Sequence, residues 1–136
     1  MDEGPFEVSV DVVDGWLTVI RLSGDGCLVR SDEVEPMRQA IDDGHNRWFL
    51  IDASELTWGC DHLAGLIALT SGRSRQRAGW TQMVCTGMVR RLVEVSSGGA
   101  VPVCDTVEEA RGAIELMRDQ VEAGRSSESR SPQWES

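Results

Sequence analysis

The run Trp48-Phe49-Leu50-Ile51 constrains the fold more than any other feature of this chain. Four consecutive apolar residues, closed by Asp52, are too few for a helix and show no alternation with polar residues. A strand buried on both faces satisfies them. Such a strand needs a covering layer on each side, and its flanks carry helical spacing. Val34, Met37, Ala40 and Ile41 precede it; Leu63, Leu66, Ile67 and Thr70 follow it. Strands alternating with helices imply crossover connections and a largely parallel sheet.

The rest of the chain extends this pattern. Phe6, Val8 and Val10 alternate with Glu7, Ser9 and Asp11, and Asp14-Gly15 separates them from a second run, Trp16 to Leu22. Asp-Gly favours the positive φ angles of a tight turn, so the N-terminus reads as a β-hairpin. Gly24-Asp25-Gly26 reads as a loop; with Asp25 and no basic residue at useful spacing, it is not a phosphate cradle. Ser31 or Asp32 caps a first helix that has Glu33 and Glu35 at its start and Gly44 at its end. A second helix is expected from Asp61 or His62 to Ala78-Gly79, with Arg73, Arg75 and Arg77 near the negative end of its dipole. Thr81 to Cys85 reads as a strand, Gly87 to Val95 as a helix and Val101 to Cys104 as a last short strand. Asp105-Thr106 with Glu108 and Glu109 opens a final helix, its apolar side formed by Val107, Ala110, Ile114 and Met117.

The fold class is therefore α/β: a hairpin, then alternating strands and helices, giving a mixed sheet packed with about four helices. The expected core is Ile20, Leu22, Leu50, Ile51, Leu66, Ile67, Met83, Leu92 and Ile114. Residues 1–122 form one domain, large enough for a self-sufficient core. Residues 123–136 are polar and read as a flexible tail, with too little apolar surface to offset ordering.

Composition excludes several functions. The net charge is −10, and all thirteen basic residues are Arg. Such a chain repels nucleic-acid backbones and anionic lipid, so neither is an expected partner. No apolar run approaches the roughly 18 residues that cross a bilayer, so membrane insertion is not expected. The four cysteines Cys27, Cys60, Cys85 and Cys104 show no CxxC spacing, and the N-terminus lacks a basic-then-apolar signal. They read as reduced thiols in a cytoplasm.

Chemistry-bearing residues are sparse. Cys60, Cys85 and Cys104 each fall at or just past a predicted strand end, with Asp61 and His62 beside the first. No recognised zinc spacing joins them, and no metal or cofactor is expected. Cys60 at a helix start lacks an assignable base, and His45 lies in a polar loop. Arg73, Arg75, Arg77, Arg90 and Arg91 read as solvated helix ends or as a contact for an acidic partner. No catalytic residue is assigned, and the chain is not expected to be an enzyme.

Four segments in this order resemble the STAS domain, the fold of bacterial anti-sigma factor antagonists. WLTVIRLSG is similar to the family's second strand and its LxG turn. WFLIDASELTW is similar to its buried LDLSxVxF strand, VRRLVEV to the short basic helix after the fourth strand, and VCDTVEEARGAI to the closing strand and helix. The resemblance spans about residues 6 to 120.

The family's Asp-Ser-Ser-Gly-Leu-Gly motif is absent. Its first Ser is phosphorylated in many members, placing close to two negative charges at a helix N-terminus. Here the segment reads Gly59-Cys60-Asp61-His62-Leu63-Ala64-Gly65-Leu66. Without gaps the acceptor position falls on Asp61; with one inserted residue it falls on His62. Neither is Ser or Thr. Asp61 is either a fixed acidic substitute for phosphoserine or a plain helix cap.

The resemblance implies a non-catalytic, protein-binding regulator that is not switched by serine phosphorylation at the usual position. Its partner would be an anti-sigma factor of the serine-kinase type or another regulator, and a homodimer is compatible. The expected contact residues are Trp58, Cys60, Asp61, His62, Leu63 and Gly65. The alternative is a STAS-type sensor of small molecules or a lipid-transport accessory. An apolar pocket under the second helix would favour that alternative, and a tightly packed core would favour protein binding.

Overall fold

The computed structural model describes residues 6–25, 32–58, 61–97 and 101–130. The elements are β1 (Glu7–Val13), β2 (Leu17–Asp25), α1 (Glu35–Asp42), β3 (Trp48–Trp58), α2 (Asp61–Gln76), β4 (Trp80–Val84), α3 (Gly87–Ser97), β5 (Val103–Cys104) and α4 (Val107–Arg130). The sequence expectation of a mixed α/β sheet with four helices holds.

The hairpin forms where Asp-Gly places it. Asp14 and Gly15 have φ of 56° and 76°, and Trp16 N–H donates to the Val13 carbonyl at 3.3 Å. The β1–β2 ladder is antiparallel from Glu7 opposite Ser23 to Val13 opposite Leu17. The later pairings, β2–β3, β3–β4 and β4–β5, are parallel. The sheet order is β1-β2-β3-β4-β5, so every strand lies beside its sequence neighbour.

That order dictates where the helices go. A right-handed crossover repeated in one direction across a sheet places its helix on the same face each time. Met37 and Ile41 of α1, Leu66 and Ile67 of α2, and Val89 and Val93 of α3 accordingly share one core with Ile20, Leu22, Phe49, Ile51 and Met83. The opposite face carries Leu17, Val19, Trp48, Leu50 and Val84, covered by Ala110 and Ile114 of α4. The apolar run 48–51 is thus divided by the pleat: Trp48 and Leu50 point to α4, Phe49 and Ile51 to the other three helices. Eight of the nine expected core residues are buried; Leu92 is half-buried.

Four boundaries differ from the sequence reading. β3 does not stop at Ile51 but runs to Trp58. Its pairing with β2 steps from Arg21↔Asp52 to Ser23↔Glu55, and from Gly24↔Leu56 to Asp25↔Trp58, so β3 carries an extra residue twice. These bulges break the period of 2 and hide the strand from pattern reading. Ser31 lies outside the described residues, and α1 starts only at Glu35, with buried Val34 at the cap, no side-chain cap bond, and Pro36 in the first turn. β5 is only two residues long. The backbone of α4 continues through Arg130, beyond the boundary that composition sets at residue 122. No Gly or Pro interrupts residues 125–130, and Arg118–Glu122 adds an i,i+4 pair before them.

The α2–β4 connection is tight. The positive φ falls on Ala78 (60°), and Gly79 N–H donates to the Ser74 carbonyl at 2.7 Å. Gly79 serves a different need: a Cβ there would sit 1.8 Å from the Arg47 carbonyl oxygen.

Candidate partner surface at the β3–α2 junction

The end of β3 is held by short-range polar contacts. The Asp52 carboxylate accepts from the Ser54 N–H at 3.1 Å and from its hydroxyl at 2.6 Å, with Arg21 Nε 4.0 Å away. Thr57 Oγ1 donates to the Gly24 carbonyl at 3.1 Å, tying the last turn of β3 to the end of β2. Ala53 and Leu56 point into the core, while Ser54, Glu55 and Thr57 face solvent.

The expected contact residues separate into distinct positions. Trp58 closes β3, and Asp61 and His62 open α2. Cys60 lies outside the described residues. Leu63 is 1% exposed; it belongs to the core and cannot meet a partner, which corrects its assignment as a contact. Apolar Leu one turn into an amphipathic helix is an anchor by the same i, i+3, i+4 pattern that includes Leu66 and Ile67. Gly65 is exposed, with open space beside its Cα.

Behind its first turn, α2 has two contrasting faces. The buried face is Leu63, Ala64, Leu66, Ile67, Thr70, Ser71 and Ser74. Its hydroxyls are satisfied at close quarters. Thr70 donates to the Leu66 carbonyl at 2.8 Å, Ser74 to the Ser71 carbonyl at 2.9 Å, and Ser74 and Thr81 hydroxyls meet at 2.7 Å. The opposite face exposes Gly65, Ala68, Leu69 and Gly72, with Leu69 39% exposed. This surface of small residues around one Leu extends the junction along the helix. Ala68, Leu69 and Gly72 are absent from the sequence-based contact set, although position 69 falls off the stripe 63, 66, 67, 70 and was readable as outward.

Three of the arginines make specific polar contacts. Arg77 Nη1 donates to the carbonyls of Asp43 and Asn46 at 3.1 and 2.7 Å, and Arg75 to the Ser71 hydroxyl at 2.9 Å. Arg90 instead pairs with Asp105 and Glu94 at 2.5 and 3.2 Å. Each of these arginines clamps neighbouring chain. Arg91 is exposed on α3.

Cys27 and Cys60 lie outside the described residues, and the two described cysteines lie on opposite faces of the sheet. Cys85 joins the core under α1–α3, whereas Cys104 packs with the α4 core, on the other face of the sheet. Among the described residues no His, Cys, Asp and Glu are grouped as a metal site. Burial pushes the Cys85 thiol up to about 11, with Arg90 opposing the shift. Burial likewise raises Cys104, whose thiol lies 3.6 Å from the Met83 carbonyl and 3.5 Å from that of Thr106. Both are protonated, weakly reactive thiols at neutral pH.

The space bounded by Leu56, Leu63, Ala64, Ile67, Val89, Leu92 and Val93 amounts to about 10 Å³, at the lower limit for a single water. A larger cleft of about 510 Å³ lies at the β1–β2–β3 end of the sheet and is lined by Glu7, Arg21, Glu33, Asp52 and Glu55 among others. Among the described residues no helix is long and apolar enough to cross a membrane.

No family model matches the sequence, and no curated protein matches it closely. The solved structures that resemble it agree with one another. An anti-sigma factor antagonist from Mycobacterium paratuberculosis aligns with a TM-score of 0.64 at 19% identity, over 82% of this chain and 95% of its own. The anti-sigma factor antagonist SpoIIAA in its unphosphorylated form gives 0.63 at 24% identity, over 82% and 96%. SpoIIAA in its phosphorylated form, described as a Bacillus cell fate determinant, gives 0.63 at 22%, over 79% and 98%. With its sequential mixed sheet and its segregated helices, the chain has the fold of these anti-sigma factor antagonists.

Proposed function

We propose that this domain is a non-catalytic regulator that works by binding another protein through the β3–α2 junction and the exposed face of α2. The observation that supports this reading is the outer face of α2, which exposes Leu69 amid Gly65, Ala68 and Gly72. Small residues let a partner's backbone approach closely, and Leu69 adds apolar area to bury. The partner fitting the fold is an anti-sigma factor of the serine-kinase type, or another regulator of that kind, in a cytoplasm.

The junction lacks the phospho-acceptor Ser of the family motif, with Asp61 or His62 in its place. The domain is therefore not switched by serine phosphorylation at that position, and it binds in one fixed state or answers to a different signal. Incubation with the partner kinase and ATP, followed by peptide mass spectrometry, should find no phosphate on residues 58–66; phosphate there would sink that reading. Asp61→Ser should change partner affinity if the carboxylate substitutes for phosphate, and leave it unchanged if Asp61 only caps α2.

The binding reading itself is tested with Leu69→Arg and Gly65→Arg. Both positions face solvent, so the unfolding temperature should hold. Affinity purification from the native cell should recover a serine-kinase-type ATPase or a comparable regulator with the parent chain, depleted at least tenfold with either variant. Equal recovery by all three chains would refute this surface.

A further inference from the structure

The outer edge of β1 is bare among the described residues, since β1 ends the sheet and pairs only with β2. Sheet edges present unpaired N–H and C=O groups, and proteins that remain monomeric usually blunt them with Lys, Pro, a bulge or a covering segment. The β1 sequence Glu-Val-Ser-Val-Asp-Val-Val contains no Lys or Pro, and its seven-residue ladder with β2 is unbroken. Val12, in its last turn, is 59% exposed.

The backbone pattern says which groups face outward. Antiparallel ladders alternate between residues that bond to the neighbouring strand and residues whose polar groups point away. Val13 bonds across the turn to Trp16. The odd-numbered residues of β1 therefore serve β2, and Val8, Val10 and Val12 turn their N–H and C=O to the free edge. Their side chains lie on the face covered by α1–α3, where Val8 and Val10 are only partly buried.

We propose that this edge is a self-association surface, pairing antiparallel with β1 of a second copy about a two-fold axis at Val10. In that register Val10 faces Val10, Val8 faces Val12, Ser9 faces Asp11 and Glu7 faces Val13. The outward N–H and C=O groups of three valines all find partners, and the exposed Val12 side chain meets an apolar neighbour. Charge selects this register. Sliding by two residues one way sets Asp11 opposite Asp11; the other way sets Glu7 opposite Asp11. Like charges directly opposite destabilise a strand pair. The result is one continuous sheet running through both copies. This inference is independent of the partner surface proposed for α2, which lies elsewhere on the fold.

Sedimentation equilibrium of the full chain tests it, alongside Val12→Lys and Val12→Pro. Both variants act at an exposed site, and Pro removes an N–H that the fold does not use. The parent chain should show a reversible dimer that tightens with added salt, because two chains of charge −10 repel. Each variant should weaken the dimer at least tenfold while keeping the parent's far-ultraviolet dichroism and unfolding temperature. In a dimer mixed from labelled and unlabelled chains, Ser9 Hα and Asp11 Hα of opposite copies should give a cross-peak, since these form a close non-hydrogen-bonded pair. A parent chain that stays monomeric up to about 1 mM overturns the proposal. So does a dimer that both variants leave intact, or an edge protected from hydrogen exchange only when a different protein is added.

Discussion

Ala78 and Gly79 are neighbours with opposite constraints. Ala78 carries the left-handed conformation that usually falls to glycine, and Gly79 carries the close approach to Arg47. Ala78→Gly should raise stability by about 0.5–1 kcal/mol, because the left-handed region costs an alanine roughly that much or more. Gly79→Ala should lower it by at least about 2 kcal/mol, since backbone must shift to admit a methyl group. Urea unfolding of both variants, read at the same pH, checks the pair. Cys85 makes a third residue-scale prediction. Its folded thiol holds its proton up to about 11, whereas an unfolded thiol releases it near 8.5. Between these values the unfolded state alone is ionised, so stability is intact below about pH 8.5 and falls as pH rises towards 11. Cys85→Ala should reduce that alkaline slope in unfolding curves taken at pH 8, 9.5 and 10.5.

At the scale of elements, α2 shows how far sequence patterns reach. Its apolar stripe at Leu63, Leu66, Ile67 and Thr70 was legible from spacing, and all four are buried. Ser71 and Ser74 were not, because hydroxyls count as polar in any periodicity. They are buried because nearby groups satisfy them: the Ser74 hydroxyl bonds the Ser71 carbonyl and Thr81, and the Ser71 hydroxyl accepts from Arg75. Ser74→Ala should therefore cost about 1 kcal/mol in spite of its small volume change, by leaving Thr81 with a longer bond to the Thr70 carbonyl. β3 was half legible for a different reason. Its first four residues announce themselves as a doubly buried run, but two bulges disturb the alternation beyond Asp52. The candidate surface was legible only as an absence, the missing Ser of a known motif. Its helix face at Ala68, Leu69 and Gly72 emerged once the buried side of α2 was fixed, and Leu63 moved from the surface to the core.

At the scale of the whole molecule, α4 is the described element that covers the second face of the sheet. Arg111 bonds Asp14 at the hairpin tip as well as Glu115, and the Arg118 guanidinium lies 4.2 Å from the Trp16 ring centre. Trp16 in turn meets Trp48 edge-on at 6.4 Å. Ile114 is fully buried at the centre of this contact, so Ile114→Ala should cost about 2–5 kcal/mol, measured by denaturant unfolding. The last packed side chains of α4 among the described residues are Met117 and Val121. A chain ending at Gly124 should consequently melt within about 5 °C of the full chain, a margin corresponding to roughly 1 kcal/mol. A larger drop would show that the polar C-terminal segment belongs to the folded domain.

The sequential strand order also bears on synthesis. As the chain leaves the ribosome, each strand from β2 onwards finds its partner in the strand made just before it, and α1–α3 close the first core as they emerge. Leu17, Val19, Trp48, Leu50 and Val84 wait for a helix that is translated after all five strands. From Val84 to Ile114 is about thirty residues, or roughly two to six seconds at ~5–20 residues per second. For that interval the nascent domain is an open-faced sheet, and its safety from aggregation is a matter of elongation rate and chaperone access as much as of final stability.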